Sequence, residues 1–133
     1  MTEDEVRAIV RTSVAEGLFL TEDEVAPETT LFSDLAAESI DLLDILFRLE
    51  QAFGIRLKGS DISDYILGDL SPEELVDADG GLTEQGRAQL TRTMPQVDVS
   101  AIGPGADIMS LMGLFSVQNL TDLVMQRVAS VPG

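Results

Sequence analysis

The chain contains no cysteine and no histidine in 133 residues. That double absence removes disulfides, thiolate nucleophiles, Ser-His triads and the usual zinc ligands together. Basic residues are scarce as well: 8 Lys and Arg stand against 24 Asp and Glu, a formal net charge of −16 at pH 7. So large an excess repels nucleic acid and anionic membrane surfaces, which leaves basic proteins as the expected company. There is no run near the roughly 20 consecutive apolar residues of a membrane span. The opening Met1-Thr2-Glu3-Asp4-Glu5 has the wrong charge for a signal peptide, so a cytoplasmic protein is expected. Carboxylate pairs can do acid–base work, yet among so many acids pairs arise by chance, and no motif isolates one.

What is present suffices for a folded unit. The length allows one compact domain with a real core, and a hydrophobic content of 44% argues against wholesale disorder. The stretch Asp34-Leu35-Ala36-Ala37-Glu38-Ser39-Ile40-Asp41 leads into a long amphipathic segment ending at Phe53. Ser39 therefore falls at the start of a helix, where unpaired N–H groups and the helix dipole favour a phosphate. The same position suits a serine N-cap, with Asp41 complementing the dipole from the first turn.

Leu42, Ile45, Leu46, Leu49 and Phe53 recur on one helical face, the pattern of a helix packed on a core. Ile40, Leu43 and Phe47 form a second apolar stripe, bordered by Asp44 and Glu50. One core does not need both. Either the helix is sandwiched between other elements, or the second stripe is a carboxylate-rimmed strip for docking on basic partners.

The run Leu35-Ala36-Ala37-Glu38-Ser39-Ile40-Asp41 resembles the Leu-Gly-x-Asp-Ser-Leu-Asp signature of acyl carrier proteins. The later Glu50-Gln51-Ala52-Phe53-Gly54-Ile55 is similar to the family's Glu-x-x-Phe-Gly-Ile-like run after the same helix. Ala36 replaces the usual glycine, Glu38 the aspartate and Ile40 the leucine. The resemblance implies an all-α, acyl-carrier-like four-helix bundle in a single domain, 1–133. Its bundle core would cover about 2–57 and 115–130, where Phe115 to Val124 looks like the start of the last helix; 58–114 would be an insertion carrying extra helices.

The resemblance further implies that a phosphopantetheinyl transferase moves 4′-phosphopantetheine from coenzyme A to Ser39. The arm would supply the thiol the chain lacks and hold acyl groups as thioesters. Glu38, Ile40, Asp41, Leu43, Asp44, Phe47 and Glu50 would then meet basic patches on acyl synthases and acyltransferases of fatty acid, lipid or specialised-metabolite biosynthesis. The chain would act as a monomeric carrier and not as a catalyst. Its length suggests a specialised carrier. A peptidyl carrier loaded with an aminoacyl group, or an unmodified acidic helical adaptor for basic partners, remains open beside this reading.

Elsewhere, Thr2-Glu3-Asp4-Glu5 is a capping-box pattern, and Val6, Ile9, Val10 and Val14 predict a first helix stopping near Gly17. Arg7 and Arg11 fall on its solvated face, and Leu18, Phe19 and Leu20 are expected to cover one end of the bundle. Thr21 to Glu24 repeats the capping pattern, but Pro27 cuts any helix short. Residues 25–37 should be irregular, anchored by Leu31, Phe32 and Leu35. Gly54 reads as a left-handed C-cap before the short extended run Ile55-Arg56-Leu57.

In the middle segment, Ser71-Pro72-Glu73-Glu74 predicts a short helix, and Thr83 to Met94 another, closed by Pro95. Asp77-Ala78-Asp79-Gly80-Gly81 fails the spacing of a calcium loop and reads as a turn. Gly103-Pro104-Gly105 marks a further turn, followed by a short helix over Asp107 to Met112. Ile108, Met109, Leu111, Met112, Leu114 and Phe115 would either fill core or line a cleft for an acyl chain. Val117 to Val128 forms the last helix, with Val131 to Gly133 fraying.

Overall fold

The computed structural model describes residues 2–78, 81–102 and 111–130. The turn expected at Gly103 to Gly105, the start of the Asp107 to Met112 helix and the end from Val131 lie outside them. Among the described residues there are six α-helices and no strand, only isolated bridges joining Thr30 to Ser116 and Val76 to Leu82. The all-α class inferred from the sequence holds.

Helix α1 (Glu3–Leu18) begins as its capping box dictates: the Glu5 N–H donates to Thr2 Oγ1 at 3.2 Å, and the Thr2 N–H donates to Glu5 Oε1 at 3.3 Å. Val6, Val10 and Val14 are fully buried. The helix does not stop at Gly17. That residue lies buried inside it because α2 comes too close for a side chain: a Cβ there would stand 2.7 Å from Cγ1 of Ile45. The helix ends one residue later, and Phe19 turns left-handed. Leu18 and Leu20 pack against the core as expected, but Phe19 is 93% exposed and covers nothing. Arg7 and Arg11 also do more than meet solvent. Arg7 pairs with Glu3 and donates to Gln118, and Arg11 Nε donates to the Glu22 carbonyl at 2.7 Å.

A 3-10 turn (Glu22–Glu24) leads into the irregular first loop, in which Leu31 is buried and Phe32 and Leu35 are half-buried. This loop is stitched to the start of the last helix. Leu31 N–H donates to the Phe115 carbonyl at 3.1 Å, Val117 N–H to Thr29 at 2.8 Å and Gln118 N–H to Pro27 at 2.8 Å. Helix α2 (Ser39–Phe53) buries Leu42, Ile45, Leu46 and Leu49 and ends at Gly54, left-handed at φ 66° and ψ 35°.

Helix α3 (Gly59–Leu67) was not foreseen. It starts in Gly-Ser behind Lys58, without a usual capping residue, and Asp61 supplies the missing brace by accepting the Lys58 N–H at 2.7 Å. Its buried Ile62 and Ile66 and the ion pair of Asp61 with Arg127 hold it against the bundle. Helix α4 (Pro72–Leu75) has the reciprocal Ser71–Glu74 bonds that its sequence calls for. A turn closed by Asp77 N–H to the Gly81 carbonyl, at 2.8 Å, leads to α5 (Glu84–Thr93), capped by Thr83 and ended at Met94 before Pro95.

Helix α6 (Val117–Ser130) buries Val117, Leu120, Leu123 and Val124. It packs on α1, as α2 does; α3 touches both α2 and α6 and carries α5 on its flank, and α4 packs on α5. Buried residues from all of these, including Ile62, Leu75, Leu82, Leu90, Met94, Leu111 and Phe115, form one connected core. Asn119 locks α6 to the end of α5. Its Oδ1 accepts from Ser116 N at 3.0 Å and from Gln96 Nε2 at 2.6 Å, while Nδ2 donates to the Thr93 carbonyl at 3.2 Å.

Candidate functional site

The site is set by how the chain enters α2. Thr30 and Asp34 close a local turn: Thr30 N–H donates to Asp34 Oδ2 at 2.9 Å, and Asp34 N–H to Thr30 Oγ1 at 2.9 Å. Ala37 N–H donates to the Leu31 carbonyl at 2.9 Å, which fastens the last loop residues to the core. Between these anchors Ala36 takes a left-handed backbone, φ 53°. That is where the family signature has glycine, and the conformation gives the reason, since a Cβ is disfavoured there.

Glu38, not Ser39, occupies the cap position, with extended backbone. Its N–H donates to Asp41 Oδ2 at 3.0 Å, so the first-turn carboxylate foreseen as a dipole partner also ties down the end of the loop. Ser39 is the first helical residue of α2. The first turn of a helix leaves N–H groups without helical partners, and a phosphate is favoured at such a point. The neighbours of Ser39, Glu38 and Ile40, are exposed, so the chain on either side meets solvent.

The second stripe of α2 is not sandwiched. Ile40, Leu43 and Phe47 are exposed by 72%, 61% and 57%. The structure thus rules out the sandwiched reading of this stripe. Its carboxylate rim is more engaged than the sequence suggested. Asp44 Oδ2 accepts from Arg48 Nε at 2.8 Å, and Arg48 also reaches Glu16 at 3.0 Å. The Asp44 bond is the main reason that the Arg48 charge is held more firmly than usual. Glu50 Oε2 accepts the Leu57 N–H at 3.0 Å and braces the turn after the helix.

A shallow groove of about 700 Å³ runs beside Phe47 between α1 and α2, floored by Ala8, Ile9 and Ala52. None of the described residues of the methionine-bearing return segment lines it. Leu111 and Phe115 are core and Met112 is half-buried, while Ile108 and Met109 lie outside the described residues. Phe115 meets Tyr65 edge to face, with ring centres 6.0 Å apart. Burial, with Asp122 nearby, pushes the Tyr65 hydroxyl up to about 12. No group of three or more potential metal ligands occurs among the described residues, and none of their helices is long and apolar enough to cross a membrane.

A family model described as the phosphopantetheine attachment site matches residues 8–78, running through α3 and α4. The chain is also similar to an acyl carrier protein of Rubrobacter xylanophilus, 35% identical over 57 residues, which cover 43% of this chain and 70% of that protein. An acyl carrier protein of Borreliella burgdorferi is 31% identical over 65 residues, 49% of this chain and 81% of the relative. One of Thermotoga maritima is 31% identical over 61 residues, 46% and 75% respectively. No solved structure matches the chain significantly.

Proposed function

The chain belongs to the acyl carrier protein family, and from that premise we propose that Ser39 bears its 4′-phosphopantetheine and that the exposed face of α2 presents the load to partner enzymes. Members of the family are carriers and not enzymes. The prosthetic group, when bound, supplies the thiol on which acyl groups are held as thioesters.

The observation that carries the reading is the register of Ser39: it opens α2 within the matched span, next to a stripe left open to solvent. The first-turn N–H groups favour the linking phosphate. Glu38 and Asp41 hold the end of the loop in place, and Ile40, Leu43 and Phe47 offer an apolar contact with the acidic side chains of Asp44 and Glu50 at its borders. With a net charge of −16, the matching surfaces on a transferase, synthase or acyltransferase are basic. We take 1–133 as one acyl-carrier-like unit in which α6 closes the bundle and the stretch beyond the matched span, from 79 to the start of α6, is elaboration; the packing of α6 on α1 and the single core support this. The load is an acyl group destined for lipid or specialised-metabolite assembly, a choice favoured over an aminoacyl group by the Glu50 to Ile55 run and the acidity.

Incubation with coenzyme A, Mg²⁺ and a broad-specificity phosphopantetheinyl transferase, read by intact mass, tests the assignment. The wild-type chain should gain one phosphopantetheine and Ser39→Ala none. Equal gain by both, or gain by neither, removes Ser39 as the attachment point. Loading the holo form with acyl and with aminoacyl donors then separates the two carrier classes.

A further inference from the structure

Four large apolar side chains stand in solvent among the described residues: Ile40, Leu43 and Phe47 of the α2 stripe, and Phe19. Phe19 is the most exposed of them, at 93%, and it does not belong to the stripe. It also has an unfavourable backbone, left-handed at φ 59° and ψ 40°, where bulky side chains are rare. The end of α1 imposes this. Leu20 N–H donates to the Ala15 carbonyl at 2.8 Å, a closure that requires a left-handed residue just before Leu20 and normally selects glycine. In the free chain, then, the ring neither packs nor eases the turn. A residue with a strained backbone whose ring stands in solvent suggests a role outside the fold.

Its position supplies the rest. Gly17, two residues earlier, lies against Asp44 and Ile45, so α1 ends where α2 borders its exposed stripe. Glu16, Glu22, Asp23 and Glu24 are exposed around the ring in sequence, set against only Arg11 and Arg48. A surface complementary to this region is an apolar pocket with a Lys- or Arg-bearing rim. The prosthetic group makes one partner obligatory, the phosphopantetheinyl transferase. We propose that Phe19 is a second docking anchor, its ring entering such a pocket on the transferase while the α2 stripe engages beside it. This rests on the reading of Ser39 given above.

The test is steady-state loading of the full-length apo chain by a phosphopantetheinyl transferase with coenzyme A and Mg²⁺, for wild type, Phe19→Ala, Phe19→Gly and Ser39→Ala, beside thermal melts. Removing an anchor of this kind should raise KM for the apo chain about tenfold in both Phe19 variants, with kcat little changed. Phe19→Gly should melt a few degrees higher than wild type, because glycine accepts the backbone that phenylalanine resists. An unchanged KM in both variants overturns the proposal. So does a lower melting temperature for Phe19→Gly, which would make the ring a support of the fold. Self-association of wild type that Phe19→Gly abolishes, with KM unchanged, would assign the ring to a second copy instead. If wild type is not loaded, or Ser39→Ala is loaded equally, it is the Ser39 reading that fails, and this one falls with it.

Discussion

Single residues at the entry to α2 set how that helix begins, and one of them fits its place poorly. Ala36 holds a left-handed backbone at φ 53° where a Cβ costs roughly 1–2 kcal/mol. The wider freedom of glycine in the unfolded chain offsets about 0.4–1 kcal/mol of that. Ala36→Gly should therefore stabilise the fold by about 0.5–1 kcal/mol in urea or thermal unfolding; a loss of stability would mean that the exposed methyl makes a contact worth more than the strain. Tyr65, the chain's one tyrosine, allows an optical test. Its folded value, about 12, lies above the unfolded 10.0, so its neutral form is the one the fold favours. That contribution is fully present below pH 10 and is lost as pH rises towards 12. Phenolate absorbance should thus appear well above the usual tyrosine range, and Tyr65→Phe should flatten the alkaline loss of stability. An ordinary titration with the fold intact would show that the hydroxyl is not buried.

At the level of elements, α1, α2, α4, α5 and α6 could be read from caps and periodicity, because their signals are local: Thr2 with Glu5, Ser71 with Glu74, Thr83, Gly54. Helix α3 could not. Its cap is Lys58, and what holds it is the burial of Ile62 and Ile66 and the pairing of Asp61 with Arg127, a residue 66 positions away. Gly17 was misread for a related reason. Glycine near a helix end suggests a stop, yet here it is small because α2 passes close by. Gly17→Ala should cost about 1–3 kcal/mol by driving the new methyl into Ile45 and parting the two helices. A neutral outcome in unfolding experiments would show that Ile45 can repack. The rim of the α2 stripe was likewise only half legible. Arg48 stands one helical turn after Asp44, a pairing local to the sequence, but only folding brings Glu16 to Arg48 and the Leu57 N–H onto Glu50.

For the molecule as a whole, the excess of 16 negative charges repels itself in the compact state. Raising NaCl from about 0.01 to about 0.15 M shortens the screening length from about 30 to about 8 Å and should raise the melting temperature. A fall on adding salt would mean that the ion pairs of Arg7, Arg48 and Arg127 outweigh the net repulsion. The same screening should weaken the encounter with a basic transferase. The sequence by itself determined the absence of any thiol or imidazole, the helical class, the register that places Ser39 at a helix start, and the existence of two apolar stripes on α2. These are matters of composition and of spacing along the chain. That the second stripe stays open to solvent was decided only by tertiary structure, because it depends on which elements pack on α2, and those elements are far apart in sequence. The left-handed turns at Ala36 and Phe19 are short-range closures, made by Ala37 N–H on the Leu31 carbonyl and Leu20 N–H on the Ala15 carbonyl, but neither position holds the glycine that would announce them in the sequence.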